Sequence, residues 1–385
     1  MYEPSEHRPT QVIVDLNAIQ HNIQYVQTKM SEEQLLYVTV KADAYGHGAI
    51  PVAKAAIEAG AKGLLVATVD EAIELRQNGF SQIPILVLGL TDPRGIAEIL
   101  HYNITITVSS HEFFARAYEQ LVATNQLNLL DVYVLNVHLA LDTGMGRIGL
   151  RSVEEVREFA LEIQQYAWVN WQGVFTHFAT AGGGPEAYVE KQFDRWKTLI
   201  EAVPESVTYR HYANTAMAIW HHHLQPKSDI VRLGISMYGM DPKDERDNIE
   251  TATNLQPVMQ LISEIMHTKQ VGAGESISYG AQYTTTESEW VATVPIGYAD
   301  GWLRRYHVID VLVAGHRCPV VGVINMDQMM IKLPHNLPVG TTVTLIGKDG
   351  KFENHVSDMA RQLDTISYEI FCNISRRVPR IYLKD

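Results

Sequence analysis

Cysteine is nearly absent from this chain: two residues, Cys318 and Cys372, in 385. That count offers no disulfide framework and no cysteine-based zinc site, and it leaves a reduced, cytoplasmic protein as the expectation. Long apolar runs are also missing, so no segment is read as a membrane span. The N-terminus, MYEPSEHRPTQVIVDLNAI, has no basic leader ahead of an apolar stretch, so no targeting segment is expected. Basic residues are outnumbered, 31 Lys+Arg against 44 Asp+Glu, for a net charge of −13. A general nucleic-acid or anionic-membrane binder is therefore disfavoured, although a local basic pocket for a small anion is not. Repeats and low-complexity segments are absent. The run His221-His222-His223 sends neighbouring side chains in different directions, so it reads as a solvated surface and no metal site is expected.

What is present is a chain that is 46% hydrophobic and long enough for two domains or a barrel with an addition. Residues 10–14 could form a short strand, and Asp15 caps a helix with Leu16, Ile19, Ile23 and Val26 on one face. Strands and helices then alternate. Strands are read at 35–40, 63–68, 83–88, 104–108, 132–141, 168–175, 207–212 and within 229–237. Helices are read at 49–59, from 70, 95–100, from 110, 153–166, 185–203 and from 214. Eight strand–helix units match a closed parallel barrel better than an open sheet. After about residue 250 the pattern becomes strand-like with little helix, at 258–271, 290–296, 308–313, 318–330 and 341–346. The expected fold is α/β: a (β/α)8 TIM barrel over 14–250, then a smaller, mostly β domain over 251–385. Residues 1–13 are a candidate addition to the second domain.

The stretch Leu35–Gly48, LLYVTVKADAYGHG, centres the reading. A buried strand ends directly at Lys41, and a polar, glycine-punctuated turn follows. Barrels keep their chemistry at the carboxyl ends of strands. A desolvated amine there has a lowered pKa and can form a Schiff base. The alternative is a strand-end lysine reaching to solvent.

Val40-Lys41-Ala42-Asp43-Ala44-Tyr45-Gly46-His47-Gly48 resembles the pyridoxal-phosphate lysine motif of the alanine racemases. Further segments resemble the same family in the same order: His138–Gly149, Phe175–Ala179, Ala213–Ala216, Val231–Gly239, Ser278–Gly280, Gly297–Gly301, Asn325–Gln328 and Tyr368-Glu369. The resemblance implies pyridoxal 5'-phosphate as cofactor, carried on Lys41, and a two-base interconversion of L- and D-alanine with Lys41 and Tyr279 on opposite faces. A free tyrosine titrates near 10, about three units too high for a base at neutral pH, so Tyr279 needs help, with His177 and Arg232 as the implied neighbours. Taken alone, Tyr279 reads as a turn tyrosine with a buried ring, and Arg232 as an arginine in a salt bridge.

By the same resemblance Arg232 faces the pyridine nitrogen, and Tyr45, Thr215, Tyr368 and the amides of Gly234 and Ile235 hold the phosphate. His177 and Asn214 join the cofactor site. Arg147 reaches both cofactor and substrate carboxylate, assisted by the Met326 amide. Tyr298 and Arg304 resemble entryway residues. Gly144, Gly146 and Gly149 are given no chemistry. A homodimer with shared active sites, cytoplasmic location and D-alanine for peptidoglycan are also implied.

The chain departs from the family pattern at Ala140, where many members carry a carbamylated lysine that orients the arginine. Asn325, with a chloride near Arg147, is the candidate substitute. Gly182 and Val323 replace an acidic and a basic residue at the entryway, which relaxes control of substrate entry, whereas the bulk of Tyr368 narrows the pocket. The competing readings are a broad-specificity alanine/serine racemase, a non-catalytic pyridoxal-phosphate carrier and a barrel decarboxylase. The carrier would lack the second domain. The decarboxylase would need a catalytic cysteine there, and neither Cys318 nor Cys372 has a matching context.

Overall fold

The structure is a computed structural model that describes residues 4–221, 224, 228–242 and 253–384. His222, His223 and the expected domain boundary at 250/251 lie outside these residues. The chain opens with β1 (Gln11–Asp15) and α1 (Leu16–Gln27). Asp15 ends the strand and caps the helix by accepting from the Asn17 and Ala18 amides, which satisfies donors a helix start leaves open. Ile19, Ile23 and Val26 are buried, as their spacing predicts.

Eight strands then build one parallel sheet: β2 (Leu35–Thr39), β3 (Gly63–Val66), β4 (Ile85–Leu90), β5 (Thr105–Val108), β6 (Leu135–Ala140), β7 (Val169–Phe175), β8 (Tyr209–His211) and β9 (Ile230–Leu233). Each of β2 to β7 pairs with the next, and β9 returns to pair with β2. The seam between β8 and β9 is closed by a bridge between Asn214 and Arg232 and by the Arg232 amide donating to Ala213 O at 2.9 Å. The residues Lys41–Gly46 form a helical turn, α2. Outside the sheet run α3 (Ala49–Glu58), α4 (Val69–Gln77), α5 (Ile96–His101), α6 (Glu112–Ala123), α7 (Val153–Glu162), α8 (Glu186–Ile200) and α9 (Thr215–Trp220). Thr68 and Ser152 start α4 and α7 with capping boxes to Glu71 and Glu155. The barrel is the one that the alternation predicts.

The rest of the chain is mostly β. The strands are β10 (Met259–Glu264), β11 (His267–Val271), β12 (Ser276–Ile277), β13 (Tyr283–Thr284), β14 (Glu289–Val294), β15 (Val311–Val313), β16 (His316–Cys318), β17 (Met329–Leu333), β18 (Thr342–Asp349) and β19 (Phe352–Asn354). Two short helices, α10 (Val356–Gln362) and α11 (Ser367–Asn373), precede β20 (Arg380–Leu383). The seven-stranded sheet runs β16-β15-β18-β10-β1-β20, with β19 on β18. β1 thus lies between β10, antiparallel, and β20, parallel. The sequence pattern does not reveal α10, α11 or β20, because seven-residue helices and a four-residue strand span too few repeats to show a period.

The expected solvated surface fails at His221. His221 is buried, its ring bonded to Ala181 O and paired with Glu186. The sequence shows only that adjacent side chains diverge; it does not show which of them the barrel covers.

Candidate active site

The carboxyl ends of the barrel strands surround a cavity of about 550 Å³. Lys41, Tyr45, Arg147, His177, Asn214, Thr215, Arg232, Gly234, Ile235 and Tyr368 all line it. Among the described residues its wall carries three cations, Lys41, Arg147 and Arg232, and no Asp or Glu. In a chain of net charge −13, this is a concentrated positive field that suits a ligand bearing phosphate and carboxylate.

Lys41 leaves β2 into an unusual turn. Ala42, Asp43, Ala44 and Tyr45 all have φ between 51° and 55°, a left-handed helical turn made without glycine. Such residues cost about 1–2 kcal/mol each, so neighbours must hold them. Glu71 Oε1 accepts from the Ala42 amide at 2.7 Å, Asp43 Oδ1 accepts from the Ala49 amide at 2.8 Å, and the buried Tyr45 ring packs on Tyr238 and Tyr368. The reversed winding brings Tyr45 to the wall that Lys41 lines. Burial, and then the charge of Arg147, lowers the Lys41 pKa.

Hydroxyls gather around the start of the loop after β9. Thr215 Oγ1 accepts from the Gly234 amide at 2.8 Å. A Cβ on Gly234 would fall 3.2 Å from Tyr45 Oη and 3.7 Å from Thr215 Oγ1. The space is therefore a cradle that a side chain would fill, and it fits the phosphate of the expected cofactor.

Arg232 is not in a salt bridge: no described carboxylate pairs with it. It donates to His211 Nδ1 at 2.8 Å and to Thr176 O at 2.7 Å, and it lies over the Phe175 ring. Because arginine only donates, His211 Nδ1 must accept and His211 Nε2 must carry the proton. That proton goes to His138 Nδ1 at 2.8 Å, and His138 Nε2 then points at Gln172 Oε1, 3.4 Å away. The chain Arg232–His211–His138–Gln172 is thereby directional, with both histidines neutral. Burial, and then Arg147, lowers the Arg232 pKa to about 9, so it remains a cation at neutral pH. His177 is lowered to about 3 by burial and by Arg232, Arg147 and Lys41; it is a neutral group.

Arg147 stands on a loop wound around Asp142, whose Oδ1 accepts from the Gly144 and Gly146 amides. A Cβ on Gly149 would come 2.7 Å from the Asp142 amide, so that glycine allows close backbone approach. Gln192 of α8, fully buried, donates to Thr143 Oγ1 and His177 O and accepts from the Ala179 amide. It ties the β6 and β7 loops together. A glutamine among Val189, Phe193 and Trp196 on the apolar stripe was the signal for it, and the sequence reading missed it. Gly182 has no room for a side chain, since a Cβ would lie 2.1 Å from Pro242 O.

Tyr279 and Met326 are not in this cavity. They line a second one of about 480 Å³ together with Tyr298, Arg304, Val323, Asn325 and Asp327. Tyr279 is 77% exposed and Met326 53%, so the tyrosine does not have the buried ring its turn position suggests. Within the chain His177 and Arg232 are not its neighbours. Asn325 lines the second cavity and not the one that Arg147 lines, and its Oδ1 lies 3.3 Å from Ser278 Oγ.

The chain matches two family models, "Alanine racemase, N-terminal domain" over residues 14–242 and "Alanine racemase, C-terminal domain" over 258–382. An alanine racemase of Ligilactobacillus salivarius is 45% identical over 377 residues, covering 98% of each chain. The crystal structure of an alanine racemase from E. faecalis superposes with a TM-score of 0.92 at 42% identity, covering 99% of this chain and 100% of that one. A histidine racemase from Leuconostoc mesenteroides superposes at 0.90 with 32% identity, covering the whole of both chains.

Proposed function

The chain belongs to the alanine racemase family, and from that premise we propose that it interconverts L- and D-alanine with pyridoxal 5'-phosphate in the barrel cavity, Lys41 and Tyr279 serving as acid–base groups on opposite faces of the α-carbon. The observation that carries the assignment is that all ten candidate cofactor residues line one cavity with three cations and, among the described residues, no acid. When bound, the cofactor supplies the electron withdrawal that makes the α-proton of an amino acid removable.

The chain's own residues have separable tasks. Thr215, Tyr45, Tyr368 and the amides of Gly234 and Ile235 hold the phosphate. Arg232 donates to the ring nitrogen and keeps its own proton, because its side-chain hydrogen-bond partner among the described residues, His211, is a neutral acceptor. Lys41, with its lowered pKa, has a larger unprotonated fraction at neutral pH and takes or returns the proton on one face. Arg147 orients the substrate carboxylate. Tyr279 acts on the other face. Since Tyr279 and Met326 line a separate, open cavity, they serve the barrel of a second copy, and each active site of the homodimer draws on both chains. A chloride near Arg147 takes the place of the family's carbamylated lysine. The product supports peptidoglycan synthesis in the cytoplasm, a compartment that suits two free cysteines.

The test is chiral chromatography of L-alanine incubated with the holoenzyme in D₂O, alongside Lys41→Ala and Tyr279→Phe, with L-serine and L-histidine as competing substrates. Deuterated D-alanine from the wild type and crippled variants support the reading. Turnover of L-serine or L-histidine comparable to that of L-alanine replaces it with a broader racemase. Specific activity that does not fall on dilution below the dimer's dissociation range counts against shared sites.

A further inference from the structure

Tyr279 stands on backbone that ordinary residues avoid. β12 and β13 pair as a two-stranded hairpin, Ser276 with Thr284 and Ile277 with Tyr283, and Tyr279 lies in the connecting loop. Ser278, just before it, has φ +70° and ψ 178°, a region essentially reserved for glycine. Gly280 and Ala281 follow with φ +72° and +49°. A serine in this conformation persists only where its surroundings hold it.

Those surroundings are specific. Ser278 Oγ donates to Val323 O at 3.0 Å and lies 3.3 Å from Asn325 Oδ1. Gly322 makes the approach possible, since a Cβ there would come 2.5 Å from Ser278 Cβ. The segment gripped by this hydroxyl is the one that presents Met326. It also accepts from the Tyr298 amide through Asn325 O at 3.0 Å, and from the Ala299 amide through Met326 O at 3.0 Å. One hydroxyl thus sets the loop carrying Tyr279 against the segment carrying Met326 and Tyr298.

We propose that Ser278 is a positioning residue for racemisation: its hydroxyl, clasped to Val323 and Asn325, fixes a glycine-like turn that aims Tyr279 and locks it in register with Met326. This rests on the reading of Tyr279 as an acid–base group. The alternative, that Ser278 only completes the fold, makes the opposite forecast for glycine. Glycine adopts φ +70° without strain, so a residue needed only for its backbone shape is replaced there at no loss. If the clasp aims Tyr279, the same change relaxes the backbone and frees the loop.

The experiment compares wild-type holoenzyme with Ser278→Gly, Ser278→Ala and Tyr279→Phe, reading melting temperature, kcat, KM and the stereochemical fate of α-deuterium in D₂O. For Ser278→Gly the expected result is a melting temperature at or above wild type, with kcat lower by roughly 10- to 100-fold and KM within about 2-fold. Deuterium should then enter one enantiomer with retention faster than inversion occurs, because one face keeps its base while the other loses aim. Ser278→Ala, which keeps the strain and loses the hydroxyl, should lose both stability and turnover. Wild-type turnover in either Ser278 variant overturns the proposal, as does a Ser278→Gly protein that loses stability and turnover together with no change in the deuterium partition. Wild-type turnover in Tyr279→Phe instead overturns the two-base reading beneath it.

Discussion

Three histidines are sealed in the fold in neutral form, and lowering the pH should act through them. His47, His138 and His211 are 0%, 2% and 0% exposed. Burial holds His47 to about 3 and His138 to about 4, and it puts His211 well below the ordinary value; Arg232 adds to the depression of the last two. Geometry enforces the same state. His47 bonds through Nδ1 to Ala44 O and Tyr45 O and has no partner at Nε2 among the described residues, and protonating His211 would set a donor against the Arg232 guanidinium. An unfolded histidine titrates near 6.5. Between about 6.5 and the folded values the unfolded chain binds more protons, so stability falls as pH falls. At pH 5.5 each histidine costs roughly 1–2 kcal/mol, so these three and His177 together cost several kcal/mol against a typical total of about 5–15. Carboxylates with depressed pKa, such as Glu155 and Glu369, lose their contribution only below about pH 4, so the window isolates the histidines. Unfolding in urea at pH 5.5, followed in a pH-stat, should take up roughly three to four protons more than unfolding at pH 8, the neutral His177 being the fourth group. An excess of less than about one proton, or equal stability at the two pH values, would refute the neutral assignment.

Gly234→Ala should place its methyl in the hydroxyl cradle and weaken pyridoxal-phosphate binding by roughly 10- to 100-fold, as expected for the loss of a charge-assisted hydrogen bond; spectrophotometric titration of the apo-protein reads this, with little change in stability. Ala42→Gly removes an exposed left-handed alanine at φ 51° and should raise stability in urea by about 1 kcal/mol. Gly297→Ala has an ordinary extended φ of −152°, yet its Cβ would lie 2.2 Å from Asn325 O and 2.4 Å from Met326 O. The displaced segment should lower kcat by at least about tenfold and stability by about 1–3 kcal/mol, measured by steady-state racemisation and thermal melts.

The sequence by itself determined whatever depends on neighbours along the chain. Alternating apolar strands and capped helices specified the barrel, because buried strands and amphipathic helices follow local periods that turns interrupt. The contiguous motif Val40–Gly48 pointed to the chemistry through its resemblance to the alanine racemases, since position alone left Lys41 free to reach solvent. The residues that share the main cavity were legible as motifs, most of them at the ends of barrel strands and Tyr368 on α11. Tertiary structure decided what depends on contacts between distant segments. No period in β1 indicates that β10 and β20 will flank it. Nothing around His221 shows that Ala181 and Glu186 will enclose it. Four left-handed residues after Lys41 contradict local preference and persist only because Glu71, Asp43 and two tyrosine rings hold them. The pairing of Arg232 with His211 rather than a carboxylate, and the separation of Tyr279 from the cavity that contains Lys41, are likewise set by which surfaces the folded chain brings together.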